Sequence, residues 1–385
     1  RTVSAFNHRN HSVRITENPS AKTALKETLG MTGMKRLSLV HPYIEGRRKD
    51  IELGLYPRQH LWGLGEIEKD KSWNSKVVET QNIQLPHFLE RILNRLLFRQ
   101  SPGAKTEIAC WRAAKTSDLI YSVCGPLSLS RFYKKTKLIS WVFRKPQRLA
   151  KQAFDPYSSK NLNSHSAFLC LTPTAERSFS KHSTSRFLPW CVDLEMFDGK
   201  PPNGKPDSKY FLATGKTGRD YQTLINGAES ISAELRIIGP KGQRPGNLPP
   251  NVRWLDTTED PPDQAIDYPT LREWYAQCLA ICIPLCGDAE DTCGYTNMLE
   301  AMAMAKPVLM TLSGCLHINP GGQEFGLSVE PEEPSKWTQA MTQILDNPDQ
   351  AKSLGKTGRK IATEELSVPD FDRKVVDFIH EIIDE

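Results

Sequence analysis

The strongest constraint on the fold is an alternation of short apolar runs with helix-forming stretches, and it occurs twice along the chain. The first series includes KLISWVF (137–143) and AFLCLTP (167–173), and the second includes YFLATG (210–215) and LAICIPLCG (279–287). Short apolar runs that alternate with helices are typical of parallel strands covered on both faces. The segment between the two series, DGKPPNGKPDSK, is rich in Pro, Gly and Lys, which indicates a linker.

We therefore predict an α/β protein in which two doubly wound, Rossmann-like domains face each other across a cleft. A chain of 385 residues is long enough for two such domains. The predicted units are a flexible arm at 1–34, an N-terminal domain at 35–197, a linker at 198–209, a C-terminal domain at 210–365, and a C-terminal helix at 366–385. For that last helix, packing back on the N-terminal domain is one option.

The two halves of the chain differ strongly in charge. Residues 1–200 contain 33 Lys and Arg against 17 Asp and Glu, a net +16, whereas the remainder has 17 against 28, a net −11. The basic half suits anionic lipid, nucleic acid or an acidic acceptor, or it serves only colloidal stability. Two basic amphipathic segments, FLERILNRLLFR (88–99) and SRFYKKTKLISWVFRK (130–145), would suit an anionic membrane surface.

Several classes of protein are disfavoured by the sequence. The sequence contains no run of about 18 apolar residues, so no transmembrane helix is predicted. The polar N-terminus does not resemble a signal peptide. Nine cysteines without a CxxC pair favour reduced thiols, and hence a cytoplasmic protein, with peripheral attachment to a membrane as an option. Cys278, Cys282 and Cys286 are interpreted as buried small side chains, and no metal site is predicted.

The segment DAEDTCGYTNMLEAMAMAKPVLMT (288–311) contains the most chemical information. A strand is followed by an acidic loop, a turn at Gly294 and a helix whose first N–H groups, at Tyr295, Thr296 and Asn297, would form an anion site. Glu300 follows one turn later among apolar neighbours. Such a carboxylate is costly unless it faces a cleft and accepts bonds from donors such as ligand hydroxyls; the alternative is one exposed residue on a buried helix.

These residues resemble a known family. GYTNMLEAMAMAKPV (294–308) resembles the donor-binding signature of GT-B glycosyltransferases, most closely the retaining family 4 group. ATGKTGRDYQTLINGAESI (213–231) is similar to the family's strand, basic loop and helix, and FLPWCVDLEMF (187–197) to the stretch before the linker. SGCLHINPGGQEFGLSVEPEEPSKW (313–337) resembles the region that follows the signature. The first half of the chain matches only in its alternation of strands and helices.

The resemblance implies roles for particular residues. Glu300 matches the glutamate that holds ribose hydroxyls of the nucleotide, and Arg219, with Lys216 beside it, matches the basic residue on the donor diphosphate. Gly215 would allow the phosphates to approach the backbone closely. The remaining predicted donor-binding residues are Gly294, Tyr295, Thr296 and Asn297.

The sequence departs from the family pattern at two positions. Thr292, eight residues before Glu300, stands where the family has a glutamate. Asp291 is the nearest acid that could replace this glutamate as a catalytic residue, and Asp288 and Glu290 are the other candidates. Ala305 stands where a glycine is usual, which would cost roughly 1 kcal/mol if that residue is left-handed. A histidine near the acceptor is also common in the family, and His41, His60 and His87 are candidates for it.

The predicted function is transfer of a sugar, of the hexosyl type, from a nucleotide-diphosphate sugar to an acceptor with retention of configuration. The nucleotide sugar would be a co-substrate, and no other cofactor is implied. The acceptor stays open, and an anionic membrane surface or nucleic acid could be a partner of the basic N-terminal half. The alternative function is a nucleic-acid-binding or nucleic-acid-modifying protein that uses this half.

Overall fold

The computed structural model describes most of the chain after the predicted arm. The described residues are 34–41, 44, 46–78, 80, 82–98, 101–144, 154–202, 204, 209–257, 266–287, 292–312 and 316–384. Residues 1–33 of the predicted arm, and residues 203 and 205–208 of the predicted linker, lie outside these ranges.

The first half of the chain forms a six-stranded sheet in which neighbouring strands are parallel. Its strands are β1 (Lys35–Val40), β2 (Trp73–Val77), β3 (Leu119–Ser122), β4 (Lys137–Val142), β5 (Ala167–Cys170) and β6 (Thr184–Phe187). Its helices are α1 (Arg48–Glu52), α2 (Leu64–Lys69), α3 (His87–Leu96), α4 (Ala104–Ala113), α5 (Ser159–Leu162) and α6 (Pro173–Phe179). The strand order is β2-β1-β3-β4-β5-β6, so the winding reverses between β1 and β3.

The second half forms another six-stranded parallel sheet. Its strands are β7 (Tyr210–Thr214), β8 (Glu234–Pro240), β9 (Val252–Thr257), β10 (Ile281–Ile283), β11 (Val308–Thr311) and β12 (Gly326–Val329). Its helices are α7 (Tyr221–Ala228), α8 (Tyr268–Gln277), α9 (Tyr295–Ala303), α10 (Pro334–Asp346) and α11 (Pro348–Glu365). The order β12-β11-β10-β7-β8-β9 is that of a doubly wound nucleotide-binding sheet, with the reversal between β7 and β10.

The central strands are buried on both faces. Every residue of β3, β5, β7 and β11 is buried. This burial explains why these strands are continuous apolar runs rather than alternating ones. The predicted α/β fold with two doubly wound sheets is therefore confirmed.

The last helix, α12 (Val368–Asp384), returns to the N-terminal half of the chain. The Nζ of Lys137 donates to the carbonyl of Ile382 at 2.6 Å, and the ring of His380 stacks on Trp73 at 4.3 Å between centroids. The two halves also share one apolar core, which contains Leu39 from the first sheet and Ile283 from the second. The chain therefore connects its two sheets through packed side chains as well as through the backbone.

Ala305, two residues after the end of α9, has the left-handed conformation, with φ of 55°. The turn is closed by hydrogen bonds from the Ala305 N–H to the Met302 carbonyl and from the Lys306 N–H to the Ala301 carbonyl. Glycine would adopt this conformation without a steric penalty, because it lacks a Cβ. A left-handed turn at this position explains physically why a glycine is usual there in the family that the sequence resembles.

We expect Ala305→Gly to raise the free energy of unfolding by about 1 kcal/mol, because it removes the left-handed strain of alanine. Urea denaturation measures the difference. Ala303→Gly lies within the same helix and should lower the free energy of unfolding by about 0.5–1 kcal/mol. A loss of stability in Ala305→Gly would contradict the assignment.

Candidate functional site

The reversal between β7 and β10 brings two loops of the second sheet together at the carboxyl ends of these strands. The Asp220 N–H donates to the carbonyl of Pro284 at 3.1 Å, and Arg219 forms an isolated antiparallel bridge with Leu285. Ligands of doubly wound sheets usually bind in the crevice at such a point. The predicted residues of the two loops, which are far apart in sequence, are therefore neighbours here.

The guanidinium of Arg219 is held by three acceptors. Nε donates to the carbonyl of Thr214 at 3.2 Å, Nη1 to the carbonyl of Thr217 at 2.9 Å, and Nη2 to Oδ1 of Asn297 at 2.8 Å. A guanidinium has five N–H donors, so one on each terminal nitrogen is not used by these bonds. No ion pair of Arg219 occurs within the described ranges, and Asp220 instead caps α7 through the Thr223 N–H. The side chain is thus oriented without being neutralised.

Two glycines allow this arrangement. A Cβ on Gly215, whose φ is 133°, would lie 2.4 Å from Nη2 of Arg219, so the guanidinium packs directly on the Gly215 backbone. A Cβ on Gly294, whose φ is 82°, would lie 2.4 Å from Cγ2 of Ile283. Any larger residue at either position would move the arginine or the start of α9.

The start of α9 lies beside this arginine. Gly294 is the N-cap residue, and it offers no side chain to the first turn of the helix. The Tyr295 N–H has a long contact of 3.4 Å with the Thr292 carbonyl, and the N–H groups of Thr296 and Asn297 have no hydrogen-bond partner among the described residues. Unpaired N–H groups and the positive end of the helix dipole favour an anion at this point.

Of the other two predicted catalytic residues, Lys216 and Asp291, only Lys216 lies within the described residues. Lys216 is partly exposed in the loop after β7, and its carbonyl accepts a bond from Nε2 of Gln243 at 3.1 Å. Asp291, with Asp288 and Glu290, lies outside the described residues, so its role remains a prediction.

Glu300 is buried, with 1% of its surface exposed. Its Oε2 accepts a hydrogen bond from the Tyr275 hydroxyl at 3.0 Å, and its Oε1 accepts one from Nε2 of Gln59 at 3.5 Å. Burial raises the pKa of Glu300 to about 8, although these bonds oppose the shift. The donors that sequence analysis expected from a ligand are supplied here by protein side chains from both halves of the chain.

A chain of hydrogen bonds joins Glu300 to Arg219. Nδ2 of Asn297 donates to Oγ1 of Thr214 at 2.7 Å and contacts the Tyr275 hydroxyl at 3.4 Å, while its Oδ1 accepts from Arg219. Asn297 therefore connects the anion site with the buried carboxylate. Asn297 was predicted from the sequence only as a backbone donor, and Thr214 and Tyr275 were not predicted at this site.

Gln59 was also not identified from the sequence, and it links the two halves of the chain at Glu300. Its Oε1 accepts from the Asp193 N–H at 2.6 Å, and its carbonyl accepts from Nε1 of Trp190 at 3.3 Å. Gln59 is nearly fully buried in a short 3-10 helix, and a buried amide needs hydrogen-bond partners. The sequence alone does not show that this glutamine is buried, so it gave no sign of the contact with Glu300.

The three candidate histidines occupy different places. His41 directly follows β1 at the reversal of the first sheet, and its Nε2 contacts the His60 carbonyl at 2.7 Å. Burial lowers the pKa of His60 to about 3, with His41 as the second cause, and the buried Nε2 of His60 has no partner within the described ranges. His87 is exposed at the start of α3. His41 is thus buried and contacts His60, whereas His87 lies on the surface.

Within the part of the chain that the structure describes, no group of three or more His, Cys, Asp and Glu side chains could hold a metal ion. Cys278 and Cys282 are buried thiols, as the sequence predicted, whereas Cys286 is exposed because it lies beyond the end of β10. None of the described helices is both long and apolar enough to cross a bilayer.

Residues 218–347 match a family model described as "Glycosyl transferases group 1". This range contains Arg219, α9 and Glu300, and it covers about a third of the chain. No curated protein sequence matches the chain.

Solved structures match over most of the chain. Sucrose-phosphate synthase from Thermosynechococcus elongatus is 17% identical, with 90% of this chain and 99% of that chain covered and a TM-score of 0.61. A glycosyltransferase from Rickettsia africae is 13% identical over 91% and 99% of the two chains, with a TM-score of 0.60. Anabaena HepE, solved in complex with UDP, is 11% identical over 90% and 100%, with a TM-score of 0.58. At these identities the likeness establishes the fold, and it confirms the predicted GT-B architecture.

Proposed function

We propose that this protein transfers a sugar from a nucleotide-diphosphate sugar to an acceptor with retention of configuration. The observation that carries the proposal is the Arg219 guanidinium, which is oriented at the reversal of the second sheet beside the start of α9. The match of residues 218–347 to the glycosyltransferase model and the GT-B fold support sugar transfer as the reaction class.

In this proposal the donor diphosphate binds between Arg219 and the first turn of α9. The unused N–H groups of Arg219 and the N–H groups of Thr296 and Asn297 would donate to phosphate oxygens, and Lys216 would add a positive charge. Gly215 and Gly294, which have no side chains, would let the phosphates lie close to both loops. No metal ion is needed for neutralisation, because these groups supply positive charge where the leaving group gains negative charge.

Glu300 is proposed to hold ribose hydroxyls of the donor. The present partner of its Oε1, Gln59, comes from the first half of the chain and is bound at the long distance of 3.5 Å. A ribose hydroxyl could replace this donor, and the carboxylate would then accept a shorter bond. Tyr275 and Asn297 would keep the carboxylate connected to the diphosphate site.

Retention is implied by the family resemblance, in which the departing phosphate takes the acceptor proton on the same face of the sugar. The protein would then mainly position both substrates and stabilise the leaving diphosphate. The acceptor would bind the first domain, where His41 and His60 lie near the reversal of the sheet. Since burial keeps His60 neutral, it is suited to hydrogen bonding rather than to carrying charge.

Asp291 is proposed to replace the missing glutamate of the family pattern at the donor sugar. We expect Asp291→Asn to lower kcat with little change in nucleotide affinity, because the residue would touch the sugar and not the diphosphate. Steady-state kinetics and calorimetry measure the two effects. A fully active variant would transfer the role to Glu290 or Asp288, or to no acid.

The alternative of a nucleic-acid-binding or nucleic-acid-modifying protein is not favoured, because the family match and the fold both support sugar transfer. We further propose that the protein works in the cytoplasm. Cys110, Cys170, Cys191, Cys278 and Cys282 are buried free thiols, which fits a reducing compartment.

The test begins with calorimetric binding of UDP, GDP and ADP to the full chain. UDP is the first probe, because Anabaena HepE was solved with UDP and with UDP and glucose. Nucleotide sugars with the preferred base are then screened for sugar release, and NMR of the product anomer tests retention. We expect one nucleoside diphosphate to bind and the matching sugar nucleotide to be consumed; binding of none of the three would contradict the proposal.

A further inference from the structure

Helix α3 is oriented with its apolar side toward solvent. Phe88, Ile92 and Leu96 are 68%, 47% and 62% exposed, although they recur at the helical spacing that normally marks a core-facing stripe. None of the ten residues of this helix is buried. The helix therefore places on the surface the side chains that a globular helix usually buries.

The polar side of α3 holds it to the domain. Glu90, with 23% of its side chain exposed, forms an ion pair with Lys105 at 2.9 Å, and Oδ1 of Asn94 accepts from the Ala104 N–H at 2.7 Å. Both contacts are to the first turn of α4. These bonds place the polar side of α3 against α4 and leave its apolar side facing outward.

Cations border this apolar side. Arg91 and Arg95 are exposed, and at 100° per residue Arg95 lies next to Phe88 around the helix. Long basic side chains can extend beside apolar ones while their charged ends remain in a polar layer.

A second apolar and basic element lies near the end of α3. Phe98, just after α3, stacks on Phe154 at 5.9 Å, and the Arg131 guanidinium lies 5.4 Å from the Phe154 ring and 4.8 Å from the Phe132 ring. Phe132 is 48% exposed, and it is followed by the exposed Lys134 and Lys135. The lipid-facing surface, as we define it, consists of Phe88, Ile92, Leu96, Arg91, Arg95, Arg131, Phe132, Lys134 and Lys135.

We propose that this lipid-facing surface docks on an anionic bilayer, with α3 in the plane of the interface. Its apolar side chains would enter the acyl boundary, and its arginines and lysines would contact anionic headgroups. Nucleic acid is less suited as the occupant, because binding to phosphates uses the cations but leaves the exposed aliphatic centre unpaired. The proposal concerns the first half of the chain and does not depend on the identity of the sugar donor.

The test is co-sedimentation of the full chain with vesicles of phosphatidylglycerol and phosphatidylcholine, and with vesicles of phosphatidylcholine alone. We expect binding to the anionic vesicles that weakens as salt rises. Phe88→Ser/Leu96→Ser should reduce the partition coefficient by about tenfold or more, because two apolar side chains no longer leave water. Arg91→Gln/Arg95→Gln should reduce it by about tenfold at low salt and less at high salt.

The matched control is Leu53→Ser/Leu55→Ser, which removes two leucines that are 61% and 49% exposed elsewhere on the same half. It should bind vesicles like the unchanged protein, and all variants should bind UDP as the unchanged protein does and keep its circular dichroism. Equal vesicle binding by the Phe88→Ser/Leu96→Ser variant would overturn the proposal. Salt-sensitive binding of duplex DNA, without binding of vesicles, would also overturn it. Self-association that is abolished in this variant would overturn it as well, because a second copy of the chain would then cover the surface.

Discussion

Arg219→Ala is expected to lower kcat/KM for the sugar donor by two to three powers of ten, or about 3–4 kcal/mol, with a smaller loss of nucleoside-diphosphate affinity. The reason is that negative charge grows on the diphosphate as the glycosidic bond breaks, so the guanidinium stabilises the transition state more than the bound donor. Its contacts with Thr214, Thr217 and Asn297 fix it before the donor arrives. Steady-state kinetics and calorimetry with the diphosphate measure the two losses separately.

Two further variants sharpen this test. Arg219→Lys should recover only part of the activity, because an ammonium lacks the fork that binds two oxygens. Arg253→Ala removes an exposed arginine on β9, two strands away from β7, and should leave both quantities unchanged. If Arg219→Ala loses nucleoside-diphosphate affinity and kcat/KM to the same extent, the arginine binds the donor without stabilising the transition state further. If neither quantity changes, the diphosphate binds elsewhere.

The four apolar runs named from the sequence form the strands β4, β5, β7 and β10, whereas two edge strands of the first sheet were not predicted. β3, β4, β5, β7 and β11 are apolar runs because neighbours cover them on both faces. β2 (WNSKV) and β6 (TSRF) are the two edge strands of the first sheet, and most of their residues remain partly or fully exposed. An edge strand needs few apolar residues, so periodicity alone could not identify either one.

The site was predictable where it depends on local sequence. The turn at Gly294 and the helix after it follow from a strand end, a glycine and an apolar helical stretch. Tyr275 and Gln59 reach Glu300 from other elements, and Gln59 is 241 positions away in the chain. Only the packed structure brings such side chains together, because their own neighbours in sequence carry no sign of the contact.

For helix α3 the sequence predicts the element but not the direction in which its apolar side faces. Its apolar spacing predicts the helix correctly, and the sequence left open whether this stripe faces a core or a membrane surface. In the structure the polar residues Glu90 and Asn94 contact Lys105 and Ala104 of the next helix, and the apolar side of α3 faces solvent. A pattern of hydrophobic residues gives the period of a helix, but it does not show which side of the helix packs on the rest of the domain.

Glu300→Gln is expected to stabilise the fold above pH 8 and to weaken donor binding at the same time. Burial raises the pKa of Glu300 from 4.5 to about 8, so the folded protein holds this proton more tightly than the unfolded chain. Stability is then highest below the unfolded value and falls as pH rises from about 4.5 to 8. A neutral amide removes this loss, so the variant should match the unchanged protein near pH 5 and exceed it near pH 9 in urea denaturation.

Asp372→Asn is the matched control, because burial also raises the pKa of Asp372 to about 7 while the residue lies in α12. It should reproduce the gain of stability without any change in UDP affinity. Glu300→Gln should instead lower UDP affinity by about 1–3 kcal/mol, since an amide offers ribose hydroxyls one acceptor and no charge. Binding of UDP to the unchanged protein near pH 7 should also release a proton, because ribose donors favour the ionised carboxyl; calorimetry in buffers of different ionisation enthalpy detects it. If Glu300→Gln gains stability but keeps its UDP affinity and its proton release, the carboxyl is a core residue alone and the ribose binds elsewhere.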